Sequence, residues 1–316
     1  MIRRALTVVS VAAFLANAVP AVATAQILNV MPLGDSLTWG YDGGPDTPDY
    51  LADLDTGGYR SPLYSDLTLY GINVNYVGVS NENPSPTLTA AGQTAQNGFN
   101  GFKINEIDGN LASSAPDADD VSNLGGYWLT GGGGTGRGPE TARVILLQIG
   151  ANDIVQQYDP AYSGTPGTES ASAFASDMTM RLETLINDIM YYEPGATILV
   201  DGTTPIINPY LGDANTIVQD YDSDIAAAIT TRYAGKPVDY VNMYGAFLDP
   251  GTSTVNSSLF AGDGLHLTTQ GYDVMAQTWA GAVETDVKIT PEPSTWALLL
   301  GGGLALFGWH RWRPAT

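Results

Sequence analysis

Five short runs of strand character alternate along this chain with stretches of helical spacing, and that alternation limits the folds open to it. The runs are residues 27–33, 73–78, 143–149, 196–200 and 238–243. Between and after them come Leu63, Leu67 and Tyr70; Ile104, Ile107 and Leu111; Phe174, Met178, Leu182, Leu185, Ile186 and Ile189; and two further helical stretches over 217–233 and 268–285. Each group repeats every three or four residues, as one face of a helix does. Strands that take turns with helices form a parallel sheet covered on both faces. Short right-handed crossovers then give one doubly wound domain, with five parallel strands and about five helices. No internal repeat and no second domain is visible. Residues 114–140, with four successive glycines at 131–134, read as a long surface loop, either a flap beside a site or a plain insertion.

Both ends read as processing segments. Met1-Ile2-Arg3-Arg4 is a basic start, followed by an apolar stretch to about Val22 and then Ala23-Thr24-Ala25. That is the three-part secretory signal pattern, so residues 1–25 are expected to be a signal peptide and the mature chain to begin at Gln26. At the other end Pro291-Glu292-Pro293 precedes an apolar run of 14 residues, 296–309, and then His310-Arg311-Trp312-Arg313. The run is shorter than the ~20 residues that span a bilayer comfortably, yet it is expected to form a short hydrophobic transmembrane helix. The arginines after it suit a cytoplasmic end. Residues 291–316 resemble the PEP-CTERM sorting signal. The resemblance implies a Gram-negative host, processing by an exosortase, and export to the cell surface or an extracellular polysaccharide matrix.

The formal net charge is -21, and the ends carry Arg3, Arg4, Arg311 and Arg313 against Glu292 alone. The domain between them, residues 26–290, is therefore more acidic still. Such a surface argues against nucleic acid and anionic membranes as partners and is compatible with a neutral polymer. The absence of cysteine excludes disulfides, thiolate metal sites and a cysteine nucleophile. No ligand spacing specifies a Ca²⁺ site.

The first strand run leads into Gly34-Asp35-Ser36-Leu37. A serine on the turn leaving a central strand sits at the mouth of such a sheet, but its hydroxyl needs a base to attack at neutral pH. The chain has two histidines, and His310 falls in the sorting tail. A serine–histidine mechanism must therefore use His266. Asp263, three residues earlier, is placed to reach its imidazole from within one turn, or else to cap that turn. Attack on an ester builds negative charge on oxygen, which preorganised donors must meet. Candidates are the Ser36 amide, the Gly101 amide and the Asn152 side chain. Asp35 and Asp153 read as loop holders.

Gly34-Asp35-Ser36-Leu37, Gly101 within Gly98-Phe99-Asn100-Gly101, Gly150-Ala151-Asn152-Asp153 and Asp263-Gly264-Leu265-His266 resemble the four blocks of the SGNH (GDSL) hydrolases, in family order. The resemblance implies a three-layer α/β/α sandwich of flavodoxin-like type, with Ser36 as nucleophile, His266 as base and Asp263 as its partner. Ser36, Gly101 and Asn152 would form the oxyanion hole, and no cofactor would be needed. Met31-Pro32-Leu33, Tyr59-Arg60-Ser61-Pro62-Leu63-Tyr64 and Gly271-Tyr272 extend the likeness to carbohydrate esterase family 3, of acetylxylan-esterase type. Phe102 stands where that branch usually has tryptophan, and residues 42–58 form a longer loop than usual. The expectation is a monomeric secreted esterase acting on an acylated carbohydrate or small ester. A lipase or thioesterase on the same fold, and a non-catalytic carbohydrate-binding matrix protein, remain as alternatives.

Overall fold

The computed structural model describes residues 27–41, 56–112, 128–129, 141–158 and 170–289. The expected signal peptide, the sorting tail, and residues 42–55, 114–127 and 130–140 of the segments read as long loops over 42–58 and 114–140 lie outside them. Among the described residues one sheet is built from β1 (Ile27–Gly34), β2 (Asn73–Tyr76), β3 (Asn97–Gly98), β4 (Val144–Gln148), β5 (Thr197–Asp201) and β6 (Val238–Tyr240). Every pairing is parallel. The order is β2-β1-β4-β5-β6, and β3 lies along the last two residues of β1. This is the flavodoxin-like order, in which the chain winds from β1 to one edge and then returns past it. In such a sheet the crevice between the two windings opens at the carboxyl ends of the central strands, here β1 and β4.

The helices are α1 (Ser36–Trp39), α2 (Arg60–Leu69), α3 (Pro86–Ala91), α4 (Ile104–Ala112), α5 (Ala151–Asp153), α6 (Ala171–Tyr192), α7 (Ala214–Thr231), α8 (Met243–Ala246) and α9 (Thr269–Ile289). A π-helical turn, Ile154–Tyr158, continues α5. Successive side chains of a strand point to opposite faces, and the core divides accordingly. Met31, Leu33, Ile145, Leu147, Ile198 and Val200 pack with α4, α6 and α7. Val30, Val144, Leu146 and Leu199 pack with α2 and α9, against Leu63, Leu67, Met275 and Trp279. The three layers follow from that alternation. A Leu or Ile in either core, cut back to alanine, is worth about 2–5 kcal/mol.

The structure corrects the sequence-based reading in three places. The sheet has a sixth strand, β3, whose two residues are too short to show a period. The sequence spacing gives no helical group between Tyr70 and Ile104, yet α3 lies there: Ser85 accepts the Leu88 amide at 3.2 Å and Pro86 occupies the first turn, a favourable helix start. The expected transmembrane helix is not found, because among the described residues no helix is long and apolar enough to cross a membrane. The long helices α6 and α9 each bury only one face; residues 296–309 lie outside the described set.

Below the rim of the sheet lie two acids without a cation. Asp201 ends β5 beside Gln148 of β4, and Asp222 comes from α7. A Cβ on Gly202 would stand 2.4 Å from Asp222 Oδ1, so this carboxyl is pressed onto the backbone after β5. Neither carboxyl forms an ion pair among the described residues. Burial raises the pKa of both, and the charge of Asp222 raises Asp201 further. A carboxyl whose pKa is raised by folding supports the fold fully below its unfolded value, near 3.8, and loses that support as pH rises through the folded value. Stability is therefore expected to fall from pH 5 to pH 9. Asp222→Asn, neutral at every pH, flattens that fall by several degrees in Tm, since a tenfold change in proton affinity is worth about 1.4 kcal/mol and 1 kcal/mol moves Tm by about 2–4 °C in a domain of this size. Melting curves across that range test it; parallel curves for variant and wild type would refute it.

Candidate active site

One row of the sheet anchors the site. Gly34 is in register with Gly98 of β3 on one side and with Gln148 of β4 on the other. Ser36, Gly101 and Asn152 follow those three residues by two, three and four positions, so all emerge at the same rim. The turn from β1 into α1 needs glycine: a Cβ on Gly34 would lie 2.1 Å from the Gln148 carbonyl oxygen and 2.5 Å from Thr38 Oγ1. Asp35 Oδ1 accepts the Leu37 amide at 3.0 Å, which caps α1 and fixes Ser36 as its first residue. Burial pushes the Asp35 carboxyl up to about 7, opposed by the Leu37 amide and assisted by the charge of Asp153. Asp35 thus holds the turn. Asp153 holds another, accepting the Ile104 amide at 3.1 Å and pairing with Arg181.

Ser36 is only 7% exposed. Its Oγ lies 2.9 Å from His266 Nε2, and His266 Nδ1 lies 2.6 Å from Asp263 Oδ2. The other oxygen, Asp263 Oδ1, accepts the amides of Leu265 and His266, both at 3.0 Å. Burial tends to raise the Asp263 pKa, but the hydrogen bond and charge of His266 with those two amides outweigh it and hold the carboxyl below its usual value. Asp263 is therefore an ionised acceptor at neutral pH. That places the imidazole proton on Nδ1 and leaves Nε2 to accept from the Ser36 hydroxyl. The turn is stitched to the loop after β5: the Ile207 amide donates to the Gly264 carbonyl and Asn208 Nδ2 to the Asp263 carbonyl, each at 2.8 Å. Gly264 has φ +69, and a Cβ there would meet the Asn208 amide nitrogen at 2.8 Å, so the close approach and the backbone both call for glycine.

On the opposite side Gly101 has φ +81, and the nearest atom to a Cβ there would be Gln156 Nε2 at 3.7 Å. Among the described residues nothing stands closer, which leaves room beside this backbone for a ligand. Asn152 Nδ2 donates to the Phe102 carbonyl at 3.1 Å. Gln156 Nε2 donates to the Gly101 carbonyl at 2.8 Å and to Asn152 Oδ1 at 3.3 Å, which ties the two positions together.

Three further residues shape this neighbourhood: the sequence carries no signal of the role of Gln156 or Tyr41, and it marks Arg60 only as part of the block 59–64. Gln156 is one. Tyr41 is another: its ring meets that of His266 edge-on, centroids 4.4 Å apart, and the Tyr272 hydroxyl donates to its carbonyl. The third is Arg60, fully buried, whose Nη2 donates to the carbonyls of Trp39 and Asn83 at 3.0 and 2.8 Å. Burial lowers its pKa to about 10. It anchors the chain that leaves the serine turn. Among the described residues no group of three or more histidine or acidic side chains is placed to hold a metal ion.

Known proteins share sequence features and the fold of this chain. Residues 290–313 match the PEP-CTERM protein-sorting motif, which marks the protein for the cell surface or exterior of a Gram-negative bacterium. A multidomain esterase of Ruminococcus flavefaciens is 24% identical over 277 residues; these are 85% of this chain, which spans 30% of the length of that relative. The fold is shared with a carbohydrate esterase family 3 protein from Talaromyces cellulolyticus (TM-score 0.56, 16% identity, covering 84% of this chain and 100% of that one). It is shared as well with an acetyl esterase variant solved with acetate ion (TM-score 0.55, 16% identity, 83% and 98%). Residues 33–274, from the end of β1 to well within α9, match the GDSL-like Lipase/Acylhydrolase family. With most of its length and its serine turn inside that match, the chain belongs to this family of acylhydrolases.

Proposed function

We propose that the protein is a secreted serine esterase that removes acetyl or other short acyl groups from a polysaccharide. The observation that carries this reading is the hydrogen-bonded series from Ser36 Oγ through His266 to Asp263, at 2.9 and 2.6 Å. Ser36 Oγ attacks the acyl carbon and its proton passes to His266 Nε2; Asp263 stabilises the imidazolium. The Ser36 and Gly101 amides and the Asn152 side chain receive the oxyanion. His266 then protonates the departing sugar oxygen, leaving an acyl ester on Ser36. A water, deprotonated by His266, releases the acid and restores the serine. Each proton passes through the one imidazole, so no cofactor enters the cycle.

A polymer substrate agrees with the sorting motif and with the acidic chain. The carbohydrate reading is also supported by the block around Arg60 and by the fold shared with a carbohydrate esterase. The test is acid release from a panel of acetylated polysaccharides, with nitrophenyl acetate and a long-chain nitrophenyl ester alongside. Acetate release from at least one glycan is expected, with kcat/KM for the acetyl ester exceeding that for the long chain by roughly tenfold or more. Preference for the long chain identifies a lipase instead, and no hydrolysis at all a binding protein.

A further inference from the structure

We propose that Gln156 is a positioning residue, which fixes the direction in which the Asn152 amide faces the oxyanion; this rests on the reaction proposed above. Four hydrogen bonds run in one direction. Lys103 Nζ donates to Gln156 Oε1 at 3.0 Å. Gln156 Nε2 donates to the Gly101 carbonyl at 2.8 Å and to Asn152 Oδ1 at 3.3 Å. Asn152 Nδ2 donates to the Phe102 carbonyl at 3.1 Å. An ammonium group can only donate, and a main-chain carbonyl can only accept. The relay therefore has a fixed polarity at both ends, and neither amide can turn over without setting like groups against each other.

The consequence falls on Asn152. With Oδ1 held by Gln156, its nitrogen faces away from Gln156. One N–H is used on Phe102, and the second is left for a ligand at the rim where Ser36 stands. Gln156 sits four residues after Asn152, on the π-helical turn Ile154–Tyr158. Such turns re-aim side chains by one position relative to an α-helix. Gln156 is itself only partly buried, and among the described residues its side-chain hydrogen bonds go to Lys103 and to the two positions assigned to the oxyanion.

The test compares Gln156→Met, of equal length without an amide, in the wild-type and Asn152→Ala backgrounds, with nitrophenyl acetate as substrate. Removing a whole oxyanion donor lowers kcat by about 10²–10³-fold; losing only its orientation is expected to lower kcat about 10- to 100-fold, with KM within about twofold. Once Asn152 is alanine, Gln156→Met is expected to lower kcat by less than about threefold. An equal loss in both backgrounds, or a loss carried by KM, overturns the proposal. Gln156→Glu is the second variant. It keeps an oxygen for Lys103 but has no donor for Gly101 and Asn152, so its kcat is expected to fall at least as far; wild-type kcat in this variant is equally fatal. Melting curves confirm that each variant is folded. The parent reading fails differently, through inactive wild type or active Ser36→Ala, and the inference falls with it.

Discussion

Ser36→Ala is expected to lower kcat toward nitrophenyl acetate by about 10⁶-fold while leaving the melting temperature nearly unchanged. The two halves of this result have separate causes. Among the described residues the hydroxyl that disappears has one partner, His266 Nε2 at 2.9 Å, and carries none of the turn. The turn is held by Gly34 packed against the Gln148 carbonyl and by Asp35 capping Leu37, both intact in the variant. Alanine is also a good helix residue for the first position of α1. The loss of rate follows because the proposed acyl intermediate forms on this hydroxyl. Cysteine is absent from the chain, and Ser36 is the hydroxyl hydrogen-bonded to His266. What remains is water attack assisted by the oxyanion donors, about 10³–10⁴-fold over solution. Assays with wild type in parallel, at enzyme concentrations high enough to see that residue, decide the matter. Retention of a hundredth or more of wild-type kcat would remove Ser36 from the mechanism.

The features legible in the sequence are those where one residue type has few other uses. Residues 144–148 are apolar in nearly every position because β4 is covered on both faces, and such a run is hard to place elsewhere. His266 stood out by scarcity, and its spacing from Asp263 fits a single turn. Other features were silent for equally physical reasons. The two residues of β3 are strand only because β1 lies beside them; nothing in Asn97-Gly98 itself asks for it. Asp201 and Asp222 are written with the same letter as an acid on the surface, and only the packing of Gly202 under Tyr221 and Asp222 reveals that both are enclosed. Gln156 lies in a polar stretch, and its importance comes from the polarity of a relay whose members lie up to 55 residues apart in sequence. Sequence identifies the groups that do chemistry more readily than those that aim them, because aiming is a property of direction rather than of composition.

Direction also decides the second large effect. Asp263→Asn is expected to lower kcat by about 10⁴-fold, although it removes no heavy atom and leaves the shape of the side chain unchanged. Asp263 Oδ1 receives two backbone amides, from Leu265 and His266, both at 3.0 Å. Those amides can only donate, so in the variant the asparagine oxygen must occupy that position. Its nitrogen then faces His266 Nδ1, where the carboxylate oxygen lies at 2.6 Å in the native protein. An N–H facing Nδ1 requires Nδ1 to accept, which moves the imidazole proton to Nε2. The imidazole then presents a donor to Ser36 Oγ and cannot take its proton. Asp263→Ala, by contrast, frees the ring to adopt either tautomer and is expected to lose no more activity than the asparagine variant. The tautomer can be read directly by nitrogen NMR on protein truncated before the sorting tail, where His266 is the sole histidine: the wild type is expected to carry the neutral-form proton on Nδ1 and the Asp263→Asn variant on Nε2. An asparagine variant that keeps the proton on Nδ1, or keeps kcat within a hundredfold of wild type, would show that this carboxylate does not set the direction of proton transfer.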